Sequence, residues 1–114
     1  TKEKKMSTVR PQHPPIPRRI KVGKKLYSIE IVEAMLEKKN MGRVYYPQQT
    51  IKLGRTSNVT GKKYAVEEIQ DTFWHEVVHA ILHDMGRDTL NRDERFVTGF
   101  ANRLTKAINS AKFE

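Results

Sequence analysis

The sequence predicts a small α+β domain. Several short β-prone runs lie between Arg19 and Leu53, two long helical patterns follow, and 114 residues leave room for one core. A short antiparallel sheet packed on one helix, with a C-terminal helix antiparallel beside it, is the architecture these elements build.

Residues 1–18 carry Pro11, Pro14, Pro15 and Pro17 with few large apolar groups, so they read as a disordered or extended arm, and residues 19–114 form the domain. Ile20 and Val22, then Leu26, Tyr27, Ile29 and Ile31, make two strand-like runs that fold into a hairpin around Gly23 to Lys25. Val32, Met35 and Leu36 fit helical spacing and suggest a short helix over Val32 to Lys39. After Asn40 to Gly42, the runs Val44–Tyr46 and Thr50–Leu53 read as paired antiparallel strands. The polar stretch Arg55–Lys63 reads as a loop.

From Tyr64 to Met85 the pattern is helical, with Ile69, Phe73, Val77, Ala80 and Ile81 on one stripe and Gly86 as the stop. A second helix spans Asn91 to Lys112 on Val97, Ala101, Leu104 and Ile108, and Asn91 followed by Glu94 resembles a capping box. The short connection packs the two helices antiparallel.

Composition narrows the chemistry. The chain has no cysteine, which excludes disulfide frameworks, thiolate nucleophiles and thiolate metal sites, so any metal must be held by histidine and carboxylate. No apolar run approaches a membrane span and none follows the basic N-terminus to make a signal peptide, so a soluble cytoplasmic protein without membrane contact is the expectation. The formal charge is +9, of which residues 1–25 hold +8 and the rest +1. A basic, proline-bearing tail is most simply a solvated arm, with weak contact to nucleic acid or an acidic partner as the alternative.

The first long helix contains His75-Glu76-Val77-Val78-His79, an H-E-x-x-H sequence. One helical turn, about 6 Å of rise, sets both imidazoles on the same face, where they can reach one ion. Glu76 stands beside His75, in position to take a proton from a water held there. With four His and nine Glu, random ordering would produce this pattern in about 1% of chains, and its helical setting is independent of the histidines.

Catalytic zinc usually takes three protein ligands. His83 lies about 12 Å of rise beyond His75 on the same helix, too far to converge with it, and reads as a surface or supporting histidine. His13 falls in the arm. Glu94 shares the seam of Val97, Ala101, Leu104 and Ile108, where a carboxylate facing a core needs a cation, so it is the favoured third ligand. The alternatives are a Glu that merely caps its helix, and Asp93 as the ligand instead. Asp71, four residues before His75, is a surface charge or an orienting partner for an imidazole.

The run Thr72-Phe73-Trp74-His75-Glu76-Val77-Val78-His79-Ala80-Ile81-Leu82, followed by an acidic residue opening a second helix, resembles the small gluzincin-type zinc metallopeptidases. Within that group it looks most similar to short phage and prophage proteins related to the ImmA/IrrE peptidases, over roughly residues 19–110. The resemblance implies a zincin-like fold and Zn2+ as cofactor, with His75, His79 and Glu94 as ligands and Glu76 as general base. It also implies a protein or peptide substrate, extended along the sheet edge that the strand Gln49–Leu53 provides.

Oxyanion donors would come from Tyr45, Tyr46, Tyr64 or His83, and each tyrosine is equally well read as packing. Three functions fit these residues: a zinc peptidase, a DNA-associated protein working through its basic arm, and a non-catalytic module in which zinc ties two helices together.

Overall fold

The computed structural model describes residues 16–37 and 40–113. Most of the N-terminal arm with His13, together with the pair Lys38-Lys39, lies outside the described residues.

Strands β1 (Arg19–Val22) and β2 (Lys25–Val32) form the expected hairpin, with Val22 paired to Lys25 across a two-residue turn. Strands β3 (Gly42–Tyr45) and β4 (Thr50–Gly54) form a second antiparallel pair. The two hairpins join through β2 and β4, which run parallel, so the sheet is mixed, in the order β1-β2-β4-β3, rather than antiparallel throughout. This places β4 in the centre and β3 at the edge, correcting the expectation that Gln49–Leu53 is the edge. Burial explains the order: Ile51 and Leu53 of β4 are fully enclosed, whereas β3 carries the exposed Arg43, the kind of charge that protects an edge.

No helix forms over the described part of Val32–Lys39. Val32 pairs with Gly54 instead, and the carbonyls of Glu33, Met35 and Glu37 accept bonds from Thr56 and Asn58. Met35 is buried, its backbone N and Cγ lying against Gly54. Contacts with a distant loop thus outweigh helical spacing in a short segment.

Helix α1 (Val66–Asp84) ends as its sequence predicts. Gly86 takes φ +71°, its N–H bonds the His83 carbonyl, and the Arg87 N–H bonds that of Leu82, the paired geometry of a glycine stop. Phe73, Val77 and Ala80 pack on Val22, Tyr27, Val44, Ile51 and Leu53 of the sheet. Val78 and Leu82 pack on Val97 and Ala101 of the C-terminal helix, so α1 is the middle layer of three. Ile81, expected on the buried stripe, is 38% exposed.

The second long helix is α3 (Glu94–Ser110), shorter at both ends than the expected Asn91–Lys112, and a separate one-turn helix, α2 (Asp88–Asn91), forms in the connection that was expected to be a loop. Asp93, not Asn91, is the cap of the longer one, accepting from the Phe96 N–H at 3.1 Å. Asn91 and Asp93 are both good cap residues, so local preference did not choose between them. Among the described residues no helix is long and apolar enough to cross a membrane.

Gly42 sits where β3 meets α1. A Cβ there would stand 2.7 Å from Thr72 Cγ2 and 3.0 Å from the Lys52 carbonyl oxygen. Gly42→Ala is therefore expected to cost about 1–3 kcal/mol through forced separation of strand and helix. Urea unfolding measures this, and an unchanged midpoint would show that the two elements have room to part.

Candidate metal centre

Helix α1 turns Phe73, Val77 and Ala80 to the sheet and Val78 and Leu82 to α3, which leaves a polar row at four-residue spacing on the seam between those faces. Asp71, His75 and His79 occupy that seam and line an open cleft of about 1000 Å³ with β3, Asn91 and the start of α3. The rings of His75 and His79 are 5.0 Å apart between centroids, as one helical turn requires.

Glu94, the first residue of α3, reaches across to both. Its Oε1 lies 3.1 Å from His75 Nε2 and its Oε2 3.0 Å from His79 Nε2. One ligand atom from each of the three residues lies within 4.8 Å of the others. The route to this position differs from the one the seam suggested: the Glu94 side chain is 65% exposed, against 23% for His75 and 13% for His79, and faces the cleft rather than the core. Glu94 precedes Val97, the first buried residue of its helix, and lines the open cleft. Asp93 is occupied as a helix cap.

Two imidazole nitrogens and one carboxylate, with positions left open toward a cleft, make a donor set that fits a divalent ion of borderline softness. Burial, with help from the neighbouring His79, holds the His75 ring below the usual histidine range, and Glu94 opposes that shift. The neutral ring is the form that ligates a metal.

Glu76 is 7% exposed and lines the same cleft. Burial pushes its carboxyl up to about 7, with Glu94 adding to the shift, while His79, the backbone N–H of Val44 and Arg43 oppose it. A carboxyl with that affinity for protons is suited to receive one near neutral pH.

The neighbours of these residues depart from expectation in several places. Asp71 accepts a bond from the Thr105 hydroxyl of α3 at 3.2 Å, so it ties the two helices and makes no hydrogen bond to an imidazole. His79 Nδ1 is instead 2.6 Å from Asn91 Oδ1. Asn91 Nδ2 donates to the Tyr46 hydroxyl at 3.1 Å, and that hydroxyl donates to the His79 carbonyl at 3.4 Å.

Of the oxyanion candidates, Tyr46 alone lines the cleft. The Tyr45 ring lies 5.5 Å from both the Arg43 guanidinium and the Lys52 ammonium. His83 is exposed and stacks on Tyr46 at 3.8 Å. Sequence reasoning missed Asn91 because a cap signal hid it, and nothing local singled out Tyr46 among the tyrosines.

Comparison of the chain with protein-family models, with curated proteins and with solved structures finds no match.

Proposed function

We propose that this chain is a zinc-dependent metallopeptidase with a zincin-like active site, in which His75, His79 and Glu94 hold the ion and Glu76 is the general base. The observation that carries the reading is the convergence of Glu94 on both Nε2 atoms of an H-E-x-x-H helix, beside a buried carboxyl in an open cleft. A bound zinc ion supplies Lewis-acid activation of a water and of a peptide carbonyl.

Glu76 receives the proton of the attacking water and returns it to the leaving amine. Its carboxylate is steadied by the Val44 N–H, so β3 and the base are one unit. The Gly54 N–H bonds the Met41 carbonyl, and antiparallel alternation then turns the polar groups of Gly42 and Val44 away from β4, so that the Val44 N–H meets Glu76 while the Gly42 groups and the Val44 carbonyl lie along the edge beside the cleft. A peptide added to this edge as an extended strand would pass Glu76, which moves the expected docking strand from β4 to β3.

The test is hydrolysis of an unfolded protein substrate by the zinc-loaded chain. Activity is expected to vanish with a chelator and return with zinc. One equivalent of tightly held zinc without hydrolysis of any substrate, target proteins included, would support the non-catalytic reading instead.

A further inference from the structure

We propose that Tyr46 and Asn91 are positioning residues that fix the tautomer of His79, directing its Nε2 lone pair at a cation shared with His75 and Glu94. The inference rests on the metal-centre reading above and concerns how this fold prepares that centre.

The direction of each hydrogen bond follows from one atom that can only accept. The His79 backbone carbonyl lies 3.4 Å from the Tyr46 hydroxyl, so the phenol proton goes there. The phenol oxygen then accepts from Asn91 Nδ2 at 3.1 Å. With its NH2 turned to Tyr46, Asn91 presents Oδ1, again an acceptor only, 2.6 Å from His79 Nδ1. Nδ1 must therefore carry the proton, and in the neutral ring Nε2 has none.

That bare Nε2 faces Glu94 Oε2 at 3.0 Å. A lone pair and a carboxylate oxygen at this separation repel, and a cation between them satisfies both. The reverse arrangement would turn the Asn91 amide over, place a proton on Nε2, and spend that proton on Glu94. It would also leave the His79 carbonyl without the phenol. The two arrangements thus give opposite tautomers, one open to a metal and one closed to it.

The anchor is built from three separate elements. Tyr46 follows β3 and its ring stacks within 13° of the His83 plane, which fixes the phenol laterally. Asn91 closes α2, and His79 stands on α1. Since the phenol proton is committed to a backbone carbonyl, Tyr46 acts on the metal ligand rather than on substrate.

Nitrogen-15 NMR of the metal-free protein at about pH 8, where imidazoles are neutral, reads the tautomer directly. Wild-type His79 is expected as the Nδ1–H form. Zinc affinity, measured by competition with a chromophoric chelator, is expected to fall about 10–100-fold in Asn91→Ala. Asn91→Asp keeps the acceptor and should restore most of that loss. Tyr46→Phe should bind zinc more weakly than wild type and more tightly than Asn91→Ala. Thermal unfolding checks that each variant folds, and Tyr46→Phe decides the matter if Asn91→Ala does not.

An Nε2–H tautomer in wild type, or an Asn91→Ala affinity within about twofold of wild type where outer partners normally matter at least tenfold, overturns the proposal. A wild-type chain that binds no zinc overturns the metal-centre reading instead, and the metal-free tautomer still decides the role of Asn91.

Discussion

Glu94→Ala is expected to weaken zinc binding by more than about 100-fold, beyond the range that loss of an outer partner produces. The carboxylate spans both imidazoles at 3.0 and 3.1 Å, so under the proposed function its removal takes away a ligand and the negative charge that would draw the cation in. What remains is a pair of histidines one turn apart, a weak chelate that zinc shares with many helices. The fold should survive, because the Glu94 side chain is largely exposed and Asp93, not Glu94, caps α3. Equilibrium dialysis gives the stoichiometry, and circular dichroism the fold. Retention of one equivalent at wild-type affinity would remove Glu94 from the ligand set and leave Asp93 or a water in its place.

Glu76→Gln separates binding from chemistry. Loss of a positioned general base costs typically 10²–10⁴ in rate, so hydrolysis should fall by about that factor while zinc remains bound. The same substitution has an opposite effect on the metal-free fold. A carboxyl pushed from 4.5 to about 7 by burial binds protons more tightly folded than unfolded, so stability declines as pH rises through that interval and is level on either side. At about 1.4 kcal/mol per unit, the charged Glu76 costs the metal-free protein on the order of 3 to 4 kcal/mol above neutrality. Glutamine keeps an acceptor for the Val44 N–H without the charge, so Glu76→Gln should melt higher than wild type near pH 8 and nearly level with it near pH 4. A variant less stable than wild type at both values would show that the buried carboxylate is compensated by a partner and is not under strain.

Much of the domain was legible in the chain order of its residues. The two hairpins, the loop from Arg55 to Lys63, the extent of α1 and its glycine stop all follow from signals within a few residues of each other. The pairing of His75 with His79 follows from helical pitch alone. Glu94 was reached for a mistaken reason: it shares the spacing of the buried seam, yet it faces the cleft because α3 begins at that residue. The helical spacing of Val32, Met35 and Leu36 was real and was overridden, since Thr56 and Asn58 take the carbonyls of that segment.

The sequence by itself determined a layered α+β domain and a helix bearing two imidazoles and a carboxyl on neighbouring positions, because repeat distances along one helix or hairpin are set by backbone geometry. Only the tertiary structure decided that β3 rather than β4 is an edge of the sheet, that the chain breaks at Arg92 to seat Asp93 as a cap, and that Asn91 and Tyr46 close on His79. The sheet order and the closure on His79 depend on groups 12 to 45 residues apart in the chain, where competing local preferences are nearly balanced and burial across the layers selects among them.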